Sequence, residues 1–153
     1  MASRRLEIVQ AARALVRGAL DGAGYATAEV RGFDASYAVP ANGGLGGGAA
    51  LGIVLDPDDP EIDLSPLHYH YALPVRVELL PPDGAANAAA ALDTMATAIG
   101  AAVAADRTLG GIADWAEVTL LAENEDAAPN APALRWGALT LMIDFSTAHP
   151  LGR

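Results

Sequence analysis

Two histidines and five carboxylates are the residues of this chain best placed to do chemistry. His68 and His70 stand two apart in HYHY, residues 68–71, and Asp56, Asp58, Asp59, Glu61 and Asp63 crowd into DPDDPEID, residues 56–63. On a strand, positions two apart share a face, so the two imidazoles could ligate one metal ion. Such a site wants a third histidine or a cysteine close by, and the neighbourhood supplies neither. The acidic run lacks the glycine and the distal bidentate glutamate of a calcium loop. Paired carboxylates also serve glycoside hydrolysis, yet nothing around these suggests a sugar cleft. A catalytic histidine needs a nucleophile, and the chain has no G-x-S-x-G, no cysteine and three histidines in all. The glycines at 43–48 precede no Lys-Ser or Lys-Thr pair and sit in no strand–turn–helix context, so they make neither a phosphate loop nor a dinucleotide fingerprint. The expectation is a protein that is not an enzyme, with no metal and no cofactor. The acidic run reads as a solvated loop and the histidines as exposed strand residues.

The elements that would position these residues follow from periodicity. Ser3 is suited to cap a helix running to Ala19 or Asp21, with an apolar stripe on one side and Arg5, Arg13 and Arg17 on the other. Those arginines form a solvated face or meet an acidic surface of a neighbouring subunit. A weak strand pattern covers 25–39, with Val30 and Phe33 inward. A glycine-rich loop follows at 40–50, either mobile or an arm that orders against a neighbour, and then a short buried strand at 51–55. Residues 68–80 alternate cleanly, with Tyr69, Tyr71, Leu73, Val75, Val77 and Leu79 on one face. Pro74 cannot donate to a ladder and predicts a free edge or a bulge there. The hub is 83–118. Asp83 or Asn87 caps an alanine-rich helix whose Leu92, Met95, Ile99 and Val103 make one buried stripe, and Gly110 and Gly111 end the unit. A strand at 115–122, an acidic connection at 123–133 and a strand at 135–146 complete the chain. In that last strand Leu139, Leu141, Ile143 and Phe145 face the core. The predicted fold is α+β, a mixed, mainly antiparallel sheet with two main helices packed on one face.

Composition sets the outer bounds. A length of 153 residues suits one domain, 1–153, with a flexible glycine-rich and acidic region at 40–63 and a tail at 147–153. The net charge of −10, with arginine as the only strongly basic residue type, disfavours binding to a phosphate backbone. No apolar run approaches the ~20 residues of a membrane span. Glu7, Arg13 and Arg17 interrupt what would be a signal-peptide core.

The order of elements carries a resemblance. LPVRVELL (73–80) feeds ALDTMATAIGAAVAAD, then RTLGG (107–111), a strand, an acidic proline-containing link, and a last strand closing in Pro-Leu-Gly. This resembles the tail terminator proteins of long-tailed bacteriophages and phage-like particles, the lambda type being the reference fold. The resemblance covers about residues 4–23 and 68–150, and its sharpest element is Ala105 to Gly111. It implies a structural virion protein that forms a homohexameric ring on the head-proximal end of the tail tube. The implied partners are copies of itself, the tail tube protein and a head-completion or neck protein. DNA passes through the lumen without specific binding, and the protein is assembled in the bacterial host cytoplasm. Within that reading the acidic runs Asp56, Asp58, Asp59, Glu61 and Glu123, Glu125, Asp126 are expected at the lumen or an adjoining ring. Arg5, Arg13 and Arg17 are expected at an interface. A neck or head–tail joining protein is the nearest alternative, and a small hydrolase using His68, His70 or the acidic cluster a more distant one.

Overall fold

The computed structural model describes residues 3–33, 47–82, 84–119, 122–126 and 134–149, with backbone alone at 123–126 and 134–135. Its elements are α1 (Arg4–Gly22), β1 (Glu29–Gly32), β2 (Ala49–Val54), β3 (Glu61–Leu64), β4 (Leu67–Leu80), α2 (Ala88–Ala105), β5 (Trp115–Val118), β6 (Ala122–Asp126) and β7 (Leu134–Thr147). The sheet runs β1-β2-β4-β7-β5, with β3 also on β4 and β6 also on β7. Among these pairs β1–β2 is parallel and the others are antiparallel. This is the α+β fold expected, a mainly antiparallel mixed sheet with both helices on one face.

Two strands of 14 residues each, β4 and β7, form the central ribbon. They pair from Tyr69–Thr147 to Leu79–Gly137. Their alternation sends Leu73, Val75, Val77 and Leu79, with Leu139, Leu141, Ile143 and Phe145, into one core. From α2, Leu92, Met95, Ile99 and Val103 press onto this surface. From α1, Ile8, Val9, Ala12, Val16 and Leu20 do the same. Full burial of each large apolar side chain contributes roughly 1.5–3 kcal/mol. Both helices start on side-chain caps. Ser3 Oγ accepts from Leu6 N at 3.2 Å and Asn87 Oδ1 accepts from Ala90 N at 3.1 Å. Asp83, the other cap candidate, lies outside the described residues.

Helix α2 bears on the expectation that no segment spans a membrane. At 18 residues it is long and apolar enough, by length and composition, to cross a membrane. Its four largest side chains sit in the sheet-facing core, and most of its remaining positions, largely alanine, are not buried.

Other differences lie at the sheet margins. The acidic stretch is only partly a loop, because Glu61–Leu64 forms β3 against the exposed start of β4. The acidic connection likewise contributes β6, which pairs with residues 134–138 of β7. The strand expected at 115–122 is divided. Thr119 N donates to Thr140 O at 3.0 Å and Thr119 Oγ1 accepts from Thr140 N at 2.9 Å, so a side chain takes over a rung of the ladder. Strand β2 begins at Ala49, inside the stretch read as loop. Thr147, expected in the tail, is the last residue of β7 and is buried. Residues 34–46, which hold most of the glycine run and the end of the first expected strand, lie outside the described residues, as do 127–133 and 150–153.

Pro74 sits where its missing donor does least harm. Its carbonyl accepts from Leu55 N at 3.0 Å, so its nitrogen faces the same flank, since both groups of a strand residue point to one neighbour. On that flank β2 ends opposite Val75 and β3 starts opposite His70. The free edge predicted at Pro74 is this gap of residues 71–74.

Candidate functional site

Three local arrangements bear on function. The first is the β3–β4 hairpin, turning at Ser65 and Pro66. Its register pairs Ile62 with Tyr69 and Leu64 with Leu67. Directly paired residues share a face, so Ile62, Leu64, Leu67 and Tyr69 lie on one side of the hairpin. Along β4 that side is continuous with core-facing Leu73 and Val75. The helices leave it uncovered, and Ile62, Leu64 and Leu67 are 50%, 82% and 46% exposed. Asp58, Asp59, Glu61 and Asp63 are exposed beside it. The hairpin is thus an arm with an apolar face and acidic flanks.

The second is a groove of about 400 Å³ between α1 and β1. Buried Val9 and Phe33 line it, together with Arg13, Ala14, Arg17 and Val30. Phe33 stands at φ 68°, an unusual conformation for a residue with a side chain. Its amide donates to Gly52 O at 2.9 Å, and its ring lies over Gly52 where a Cβ would collide with it. The groove wall is therefore held from behind by the absence of a side chain on β2.

The third lies on the sheet face away from the helices. His70 Nε2 meets Asp63 Oδ2 at 2.8 Å, and Nδ1 meets Ser146 Oγ at 2.7 Å. The Ser146 hydroxyl in turn donates to Asp114. Aspartate, histidine and serine in one hydrogen-bonded chain are the residue types of a nucleophilic triad. The polarity opposes that use. With its proton given to the Asp114 carboxylate, Ser146 accepts from the imidazole, whereas a nucleophilic serine donates to its base. The four residues tie β3, β4, β7 and the loop before β5 together at the base of the arm. His68 and His70 do share a face, with ring centroids 6.4 Å apart, and His68 Nδ1 has no hydrogen-bond partner. Among the described residues no three His, Asp or Glu side chains converge as a metal site.

Next along this face, the Asp144 carboxyl is pushed above its ordinary range, first by desolvation against the sheet and then by the charges of Asp114 and Glu117. Trp115, 46% exposed, carries the Arg107 guanidinium 4.9 Å from its ring centroid and donates to Glu117 at 2.9 Å.

The residues expected at an interface are scattered by the fold. Arg5 lies 3.8 Å from Asp56 of its own chain, both well exposed. Arg13 is exposed at the groove and donates to Val30 O at 3.4 Å. Arg17 is held within its own chain. It pairs with Asp21 at 2.7 Å and donates to the carbonyls of Tyr25, Ala26 and Ala28, stapling the end of α1 to the turn before β1. Asp56, Asp58, Asp59 and Glu61 are exposed around the arm. Glu123, Glu125 and Asp126 fall on β6, and their side chains lie outside the described residues. Sequence reasoning passed over Ile62, Leu64 and Leu67. A leucine on each side of the Ser65–Pro66 turn was the available signal. In comparisons with known proteins, no protein-family model and no curated protein matches this chain.

Proposed function

We propose that the chain is a self-assembling structural subunit, a tail-terminator-like protein that closes into a ring on the head-proximal end of a phage tail tube. The observation that carries this reading is the arm. Three aliphatic side chains are exposed on the core side of a hairpin that neither α1 nor α2 covers. An exposed apolar patch of this kind marks a protein contact. The resemblance of the element order to tail terminators suggests the kind of assembly. In this reading the chain is not an enzyme. Its partners are further copies, the tube protein and a head-completion protein, and its place is the virion. The excess of carboxylates repels DNA phosphates and keeps passage through the ring free of sticking. A neck ring shares these features and differs in not touching the last ring of the tube.

Electron microscopy and native mass measurement of the purified chain, alone and mixed with tail tubes of its particle, test the proposal. The expected result is a six-fold ring, free or seated on one end of the tube. A strict monomer with no affinity for tubes overturns it.

A further inference from the structure

We propose that the arm of one copy seats in the groove between α1 and β1 of the next copy. This rests on the reading that the chain assembles with itself, and it names the two surfaces that meet.

The first argument is chemical complementarity. The arm offers Ile62, Leu64 and Leu67 on one face, and the groove offers exposed Ala14 and half-buried Val30 over a floor of buried Val9 and Phe33. The second is charge. Residues 4–31 hold five of the nine arginines of the chain against three carboxylates, whereas residues 56–63 hold five carboxylates and no arginine. In a chain of net charge −10, the α1–β1 segment is the place where positive charge concentrates. Acidic flanks on an apolar arm fit a groove with Arg13 exposed at its mouth, and such pairing directs register as well as attraction. The third is preorganisation. Phe33 is fixed over Gly52, so the groove wall does not have to be ordered on binding.

The geometry requires two copies. The arm's apolar side chains are in solvent in a single chain, so they do not occupy that chain's own groove. The two surfaces are different parts of one molecule, at the start of β4 and beside edge strand β1. The contact is therefore head-to-tail, the class that generates rings when its rotation closes.

Cysteine cross-linking tests this without background, because the chain has no native cysteine. One pool carries Leu64→Cys and a second Ala14→Cys, with Gln10→Cys as another exposed groove position if Ala14 tolerates no change. Thr97→Cys, exposed on α2, is the control. The pools are mixed and oxidised, alone and with tail tubes. Disulfide-linked dimers are expected for Leu64→Cys with Ala14→Cys and not with Thr97→Cys, and a chain carrying both L64C and A14C yields a ladder of oligomers. Arg13→Glu should lower the cross-link yield several-fold, and Glu61→Arg in the partner pool should recover it. Rings that form without the specific cross-link overturn this contact and leave the assembly reading standing. A specific cross-link in an oligomer that ignores tail tubes supports the contact and counts against the terminator reading. Cross-linking of the groove cysteine to a tube subunit in place of the arm assigns the groove elsewhere and overturns the inference, as does a monomer with no cross-link.

Discussion

Gly52 leaves no room for a methyl group, because a Cβ there would lie inside van der Waals contact of the Phe33 ring. Both residues are buried, so neither the ring nor strand β2 can move without disturbing the core. Gly52→Ala should cost about 1–3 kcal/mol by overpacking, read as a lower urea midpoint at unchanged slope. A midpoint equal to wild type would mean that the Phe33 wall is soft. Much at this scale was hidden in the sequence. The strand alternation put His68 and His70 on one face, and so they are. It could not show Ser146 or Asp114, which join His70 only because β7 pairs with β4 and β5 follows beside it. The partners of Arg17 were hidden for a related reason. Helical periodicity says which side of α1 it leaves, while the carbonyls that hold it come from a turn that carries no periodic signal.

At the scale of elements, α2 depends on its first turn as well as on its buried stripe. Asn87 satisfies the Ala90 amide, and no acidic residue in the first turn assists it. Asn87→Ala should therefore lower stability by about 1 kcal/mol, measured by thermal or urea unfolding, while Asn87→Asp should lose little. Equal losses in the two variants would deny the cap its role. Elements with strong periodicity were legible: α1, α2, β4 and β7 stand within a few residues of their predicted spans. Strands β3 and β6 were not. Both are acidic, short and near prolines, features that argue for loops. They become strands because the two long strands extend past the helices and offer unpaired backbone, a tertiary cause that no local window contains.

At the scale of the molecule, charge is unevenly spread, basic along α1 and β1 and acidic around the arm. The whole chain carries −10, so it should not retard duplex DNA in a gel even at low salt, where nonspecific binding is strongest. A retarded band that disappears with added salt would refute an acidic, non-sticking surface. Composition made this property readable before any fold was known. The site was less legible. The arginines were flagged as interface candidates, but the arm's aliphatic residues were passed over in favour of the carboxylates beside them.

A subunit that joins others, as proposed for this chain, must also avoid joining them indefinitely. A bare strand edge is an invitation to sheet extension, which has no natural end and leads to fibres. Strand β4 would offer such an edge between the end of β2 and the start of β3, but Pro74 stands in that opening and has no amide hydrogen to give. An intruding strand would find one rung missing in a gap of only four residues. At this opening adhesion is denied to the backbone and left to side chains, which can be complementary to one neighbour and indifferent to the rest. Pro74 thus closes this stretch of β4 to an added strand while leaving its side chains free to choose a neighbour.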